Sequence, residues 1–464
     1  VRVVSSLWTS EEIAAATGGV ASATFAVDGV TFDSREIEPG HLFVAMPGTA
    51  HDGHEFVDKA FALGAAAAMV SHPVAGPHVL VPDVARALEA MAVAARARIE
   101  SKAVVIGVTG SVGKTSTKEA LAAALERSRK GAVHRSVKSY NNHTGVPLSL
   151  ARMPRDTCYA VLEMGMNHAG EIASLTRLVR PHIALITAIA PAHIEHFGSI
   201  EAIADAKAEI FEALEAPAVA IVPEDSEHRD RLVKAARTPA EATVTFGRSE
   251  HADVSAVHAV RTQDGRTLVT ARLLDSELTF TMAQRGDHWI SNALAVLAVV
   301  EAAGGDIAAA GLALGDLGGL KGRGARHRIT VEGGAALLID ESYNANPASM
   351  AATLKSLGEE QVEGRRIAVL GPMRELGLQT EREHAAIAEP AVAAGVAQLI
   401  LIGPEMEATV AALDGRIPAM LVDDVAAATE ALRGAIGPGD AVLVKASNSV
   451  GLARLVDALA GSEA

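Results

Sequence analysis

Apolar residues recur along this chain in two rhythms, and their succession outlines the elements. In the first hundred residues, GVTFDSREIEPGHLFVAMPG (29–48) predicts strand, loop and strand, with Pro39 and Gly40 at the turn. HEFVDKAFALGAAAAMV (54–70) predicts a helix closed by Gly64 and then a strand, and VARALEAMAVAARARIE (84–100) predicts a second helix. AVVIGVTGSVGKTSTKEALAAALERS (103–128) predicts a buried strand, a glycine-rich turn and a helix. Further strands are expected at YAVLEMG (159–165), IALITAI (183–189) and AVAIVP (218–223), an alternation that predicts a mainly parallel sheet covered by helices. From about 240 to 285 the period is two with no helix between, which predicts an antiparallel extension of that sheet. GDHWISNALAVLAVVEAAGG (286–305) has the pattern of a helix. Glycine and basic residues then cluster in LGGLKGRGARHRI (317–329). Beyond them strand and helix patterns alternate again: ALLID (336–340), a helix from Pro347, RIAVLG, QLILIG, AVLVKAS and a last helix at LARLVDALA (452–460).

These patterns predict an α/β protein of three domains: a small α/β unit over 1–100, a central, mainly parallel-sheet unit over 101–328, and a Rossmann-like unit over 329–464. A length of 464 residues agrees with that division. Hydrophobic residues at 49% against 21% charged supply large cores and exclude global disorder. With 41 basic and 56 acidic residues the net charge is −15, which argues against broad nucleic-acid binding. The single cysteine, Cys158, excludes an internal disulfide and a cysteine-built zinc site, and it fits a reducing cytosol. The start, VRVVSSLWTSEEIAAATGG, lacks the basic head and apolar core of a signal peptide. No run of about 18 strongly apolar residues occurs, so no membrane insertion is expected.

The strongest local chemistry is Thr109-Gly110-Ser111-Val112-Gly113-Lys114-Thr115-Ser116, set between a predicted strand and a predicted helix. Glycines let backbone N–H groups converge on phosphate oxygens, and a helix N-terminus adds partial positive charge. Lys114 suits the outer phosphates, and the Thr115 hydroxyl suits Mg2+. Val108 stands where the full phosphate-loop pattern has its first glycine. Glu163 ends the strand YAVLEMG, where a carboxylate can face the metal of a nucleotide. His193 follows another strand, in AIAPAHIEHFGS, with His196 as its near neighbour. Lys207 lies in the helical ADAKAEIFEAL, and spacing alone makes it a solvated lysine or an ion-pair partner.

TGSVGKTS resembles the shortened phosphate loop of the Mur ligase family, the ATP-dependent amino-acid and peptide ligases of peptidoglycan synthesis. Related loops occur in folylpolyglutamate synthases. The resemblance runs in order along nearly the whole chain. SYNNHTGVPLSLARMP, LEMGMNHAGEI and DESYNANPASM are similar to the branch that adds a dipeptide. FDSREIEPGHLFVAMPG with DGHEF resembles the family's UDP-sugar-binding N-terminal domain, and GDHWISNALAV its nucleotide-contacting helix start.

The resemblance implies UDP-MurNAc-tripeptide and D-Ala-D-Ala as substrates, ATP with two Mg2+ ions, an acyl-phosphate intermediate, and a monomeric cytoplasmic enzyme. It implies phosphate contacts from Gly110, Ser111, Val112, Gly113, Lys114, Thr115 and Ser116. His288 and Asn292 would lie near adenine, and Arg323 at the hinge into the last domain, with Arg326 an open alternative. Ser34 and Arg35 would contact uridine diphosphate. Asn141, Asn142, Tyr343, Asn344 and Asn346 would serve the peptide substrates, and Asn346 can also cap the helix begun by Pro347. Thr115, Glu163, His193 and Lys207 are the implied metal ligands, with Lys207 made anionic by carbamylation. Lys114, Lys207 and His193 are the implied catalytic residues.

The C-terminal domain is expected to close over the centre about a hinge near residue 328. A sister ligase adding a single amino acid to UDP-MurNAc-dipeptide is the alternative, and SYNANP favours the dipeptide adder. A nucleotide-dependent switch would not require Glu163, His193 and Lys207 together. Two segments depart from the family pattern. AVLGPMRELG carries Pro372 and Arg374 where G-D-M-x-E-L-G is usual, and Glu341 replaces the commoner second aspartate of D-D-S-Y-N-A-N-P. Lys445 and Ser447 in KASNSVGL fit the strand-end loop of the last domain.

Overall fold

The computed structural model describes residues 6–48, 51–99, 103–192, 194–263 and 265–461. Beside a two-stranded antiparallel pair, Trp8–Thr9 with Ala26–Val27, three larger sheets follow one another along the chain. The first has five strands in the order Val20–Ala21, His78–Leu80, Ala67–Val70, His41–Val44 and Gly29–Thr31. All neighbours are parallel except the edge strand Val20–Ala21. The helix Val84–Arg98 covers it, capped by Asp83, whose Oδ1 accepts from Arg86 N at 3.0 Å. Its apolar stripe, Ala87, Leu88, Met91 and Ala95, joins Val44, Met69 and Val79 in one core.

The second sheet has nine strands, in the order Glu277–Met282, Thr267–Arg272, Val254–Arg261, Ala242–Gly247, Val219–Pro223, Ile183–Ile186, Val104–Thr109, Tyr159–Glu163 and Val133–Arg135. Its middle strands are buried on both faces, so they read as unbroken apolar runs. Helices Lys114–Ser128, Asp287–Ala302 and Ile307–Asp316 pack on one face. Glu171–Val179, Ile200–Ala208 and Arg229–Ala236 pack on the other.

The expected antiparallel extension holds for Val254–Arg261, Thr267–Arg272 and Glu277–Met282. Ala242–Gly247 departs from it and runs parallel to both its neighbours. Its pairing with Val254–Arg261 involves only Phe246↔Val254 and Gly247↔Ser255, a staggered tip that a short turn can span without a crossover helix. Asp225 closes that turn by accepting from Arg248 N at 2.6 Å and Ser249 N at 3.0 Å.

The third sheet runs Ala325–Val331, Gly334–Glu341, Ala441–Lys445, Arg366–Leu370, Val396–Ile402 and Ala419–Val422, parallel apart from its first hairpin. Residue 328, where the domain change and hinge were expected, lies inside the strand Ala325–Val331. Arg326 and Arg328 occupy its exposed face while Ala325 and Ile329 point inward, which is why the segment resembles a basic linker in sequence. The connection between the two sheets is the glycine-rich 317–324 ahead of it. Asn346 caps the helix Pro347–Gly358 through a reciprocal pair with Ser349, as the sequence implied. Among the described residues no helix is long and apolar enough to cross a membrane.

Candidate active site

The carboxyl ends of the central parallel strands open into a cleft of about 690 Å³, closed on its far side by the third sheet. Thr109 ends one strand, and Gly110 (φ +151°) and Gly113 (φ +83°) carry the chain through a turn that L side chains rarely adopt. Helix Lys114–Ser128 starts at once. The turn is braced from the neighbouring strand end. Thr187 Oγ1 donates to Val112 O at 2.6 Å, and Ser111 Oγ donates to Ala190 O at 2.9 Å. Lys114 Nζ donates to Gly110 O at 2.7 Å, so its ammonium stays over the loop. Burial lowers the Lys114 pKa, Glu163 opposes that shift, and Arg323 adds to it. Thr115 Oγ1 lies 3.1 Å from Ser139 Oγ. A Cβ on Gly113 would lie 2.9 Å from Asn292 Oδ1, which places Asn292 against the loop. Ser116 is buried beneath it.

Glu163 ends the adjacent strand and is 1% exposed. Its Oε1 accepts from Asn141 Nδ2 at 2.8 Å, while its buried Oε2 has no hydrogen-bond partner. A carboxylate oxygen sealed from water without a donor is the expected signature of a cation ligand. Lys207 is 2% exposed and lines the same cleft, not the solvated helix face that spacing alone allowed. Burial, reinforced by the Lys114 charge, holds its pKa well below the ordinary lysine value. His193 lies outside the described residues. His196 is on the short helix Ile194–Phe197, its ring 4.9 Å from that of His168. No group of three or more His, Cys, Asp or Glu suited to a metal occurs among the described residues. The oxygens of Glu163 and Thr115 therefore need donors of another kind to complete a cation site.

From the third sheet, Glu341, Tyr343, Asn344, Asn346 and Lys445 face the cleft. The Arg323 guanidinium stacks on the Tyr343 ring at 4.2 Å and donates to Ser139 Oγ at 3.3 Å, tying the last sheet to the phosphate-loop side. Arg326 points the other way, onto Glu360. Lys445 Nζ donates to Asn344 O at 2.8 Å and lies 3.8 Å from Glu341 Oε2. Burial raises the Glu341 pKa, with Lys445 opposing. Burial pushes His288 down to about 4, aided by the Lys445 charge.

Three family models divide the chain between them. The Mur ligase catalytic domain matches 26–105, the Mur ligase middle domain 108–300, and the Mur ligase glutamate ligase domain 327–448. UDP-N-acetylmuramoyl-tripeptide--D-alanyl-D-alanine ligase of Mycobacterium tuberculosis is 33% identical over 94% of this chain and 92% of its own. The chain belongs to the Mur ligase family. The solved structure of MurF from Acinetobacter baumannii superposes with a TM-score of 0.83 at 28% identity, covering 98% of this chain and 99% of that one. MurF from Thermotoga maritima, solved in complex with ADP, gives 0.74 at 28% identity over 92% and 96%.

Within this Mur ligase the implied residues do not all converge. Ser34 and Arg35 lie away from the main cleft. Arg35 instead lines a groove of about 600 Å³ between the first and second sheets, with Lys138 and Arg152 on its far wall. Asp33 holds the Arg35 guanidinium through two contacts, Nε–Oδ1 at 2.9 Å and Nη2–Oδ2 at 2.7 Å. Asn142 spends its side-chain oxygen on Thr144 N and Gly145 N, so it shapes the helix start Gly145–Ala151 while lining the cleft. Thr187 and Ser139 line the cleft, with Lys118 and Ser136 buried behind it, and all four escaped sequence reasoning. Each is a common residue type; Lys118 lies on the phosphate-loop helix itself, and strand adjacency brings the others to the loop.

Proposed function

We propose that this protein joins D-Ala-D-Ala to UDP-MurNAc-tripeptide at the expense of ATP, giving UDP-MurNAc-pentapeptide, ADP and phosphate in the cytoplasm. The observation that carries this is the near full-length likeness to a relative of that name, at 33% identity over 94% of the chain. The cleft supplies the chemistry. Two anions, the triphosphate and the peptide carboxylate, must approach each other. Lys114, Arg323 and Lys445 line the space between them and offset their repulsion. The γ-phosphoryl group moves from ATP to the terminal carboxylate, forming an acyl phosphate and releasing ADP. The unprotonated amine of D-Ala-D-Ala attacks its carbonyl carbon, and the tetrahedral adduct expels phosphate as the amide forms. The walls given by Tyr343 and Asn344 on one side and the phosphate loop on the other keep water from the acyl phosphate.

Glu163 Oε2 and the Thr115 hydroxyl fit Mg2+, which when bound would neutralise phosphate charge. Burial disfavours the protonated form of Lys207, which favours the free amine that addition of CO2 needs, and its carbamate would supply further oxygens. His193 completes this proposed set. Ser34 and Arg35 are proposed for the uridine diphosphate end.

Phosphate release tests the proposal, with UDP-MurNAc-tripeptide present and D-Ala-D-Ala supplied or withheld, and the product weighed. Turnover requiring both, with the mass of one added dipeptide, is expected. Turnover with a single amino acid in place of the dipeptide would move the assignment to a sister ligase.

A further inference from the structure

A second buried lysine stands beside the cation-site glutamate. Lys118 is on the second turn of the phosphate-loop helix and is 0% exposed. Its ammonium donates to Ser136 O at 2.8 Å and Lys138 O at 2.5 Å, and it pairs with Glu119 Oε1 at 2.9 Å. It gives no hydrogen bond to Glu163, whose Oε2 lies 4.0 Å away. Glu163 thus sits beside a fixed positive charge while that oxygen accepts no hydrogen bond. An oxygen that accepts no hydrogen bond keeps its lone pairs available to a cation.

The same ammonium shapes the loop that follows Val133–Arg135. Lys138 is held at φ +52°, a strained conformation for a lysine, with its carbonyl turned onto Lys118. Ser136 Oγ accepts from the Glu163 N–H at 3.1 Å. Ser139 and Asn141, next along the loop, meet Thr115 and Glu163. One cation therefore fixes both the charge environment of Glu163 and the loop that aims its neighbours.

We infer that Lys118 is a positioning residue for divalent-cation binding: it sets a positive charge beside the open oxygen of Glu163 and fixes the loop Ser136–Asn141 that orients Thr115 and Glu163. The inference rests on the proposed nucleotide and cation site. Calorimetric titration of ADP into the full-length protein, repeated over a series of Mg2+ concentrations, tests both. The wild type is expected to bind ADP more tightly as Mg2+ rises. Absence of that dependence would overturn the cation site and this inference together. Lys118→Met is expected to raise the Mg2+ concentration for half-effect at least tenfold, with metal-free ADP affinity within twofold of wild type. An unchanged Mg2+ dependence, or an equal loss of metal-free ADP binding, would overturn the role of Lys118 alone. Lys118→Gln keeps amide donors for the two carbonyls, on a side chain one bond shorter, and removes the charge. It is expected to show the same Mg2+ shift, and it decides the matter where the methionine variant does not fold.

Discussion

Gly110 and Thr187 approach so closely that a Cβ built on the glycine would lie 1.9 Å from the threonine hydroxyl. That hydroxyl donates to Val112 O at 2.6 Å, so the phosphate loop is bolted to the end of the neighbouring strand. Catalytic geometry here depends on a residue outside the motif.

Thr187→Val should therefore act on nucleotide binding before it acts on chemistry. The variant keeps the shape and leaves the Val112 carbonyl short of a donor, at a cost of about 1–3 kcal/mol. The expected result is roughly a tenfold loss of ADP affinity by calorimetry, with the fold intact by circular dichroism. Gly110→Ala, which must displace Thr187, should bind no nucleotide. ADP affinity equal to wild type in Thr187→Val would show that the loop needs no brace.

Lys207 separates stability from function. Its amine is buried against Lys114 with no acidic neighbour among the described residues that pairs with it, so burial disfavours the charged form. In buffer freed of CO2, Lys207→Met should be at least as stable as wild type, by about 1 kcal/mol. Ligation should nevertheless fall by several orders of magnitude. Denaturant melts and phosphate release, run side by side, check this. A strongly destabilised variant would mean that Lys207 holds the fold together.

How much of this was legible in the sequence follows from the range of each interaction. The phosphate loop, the Asn346 cap and the alternating α/β order rest on contacts a few residues apart, and spacing reveals those. Glu163 was found because it ends an apolar run. Ala325–Val331 was missed because its exposed face carries arginines and its inward face is too short to dominate the pattern. Lys118 and Thr187 were missed for another reason. Their hydrogen-bond partners lie 18 or more residues away, at Ser136 and Lys138 in one case and at Val112 in the other, a range that spacing does not reveal.

Protonation of His384 should loosen the loop where this chain departs from its family. The ring is 0% exposed, its Nε2 accepts from Met373 N at 2.9 Å, and Nδ1–H donates to Thr380 O at 2.7 Å. Only the neutral ring can do both. Burial lowers its pKa, so below the ordinary histidine value of about 6.5 the unfolded chain takes up the proton and the folded chain resists it. Stability is fully present above about pH 6.5 and declines as pH falls below it. His288 and His134, pushed down to about 4, extend the decline to that pH. The slope is at most about 1.4 kcal/mol per pH unit for each ring. His384→Gln, which can still accept from Met373 N, should flatten the upper part of this profile in urea melts between pH 7 and 4. An unchanged profile would assign the acid sensitivity elsewhere.

Glu360 is expected to govern how firmly the third sheet is held to the second. Its carboxylate is 2% exposed and meets two guanidiniums, Arg285 from the central unit and Arg326 from the strand Ala325–Val331, the latter at 2.6 Å. Two more exposed ties flank it, Arg261 to Glu359 at 2.7 Å and Lys355 to Asp287 at 2.7 Å. Opening of the cleft about 317–324 would have to part the Arg285, Arg261 and Lys355 contacts, whereas Arg326 would travel with Glu360. Glu360→Gln leaves two cations facing each other around a neutral amide. Both arginines keep partial contact with water, so a cost of about 1–3 kcal/mol is expected, below that of a fully buried broken pair. Glu359→Gln, at an exposed pair, should cost under about 1 kcal/mol. The distinguishing result is in solution scattering without substrates. Glu360→Gln should show a larger radius of gyration than wild type, 1 M salt should move the wild type the same way, and saturating ADP with UDP-MurNAc-tripeptide should reverse both. If Glu360→Gln were less stable but no more extended, the residue would serve the core of the third sheet and the cleft would be held by Arg323 on Tyr343 and Ser139 instead.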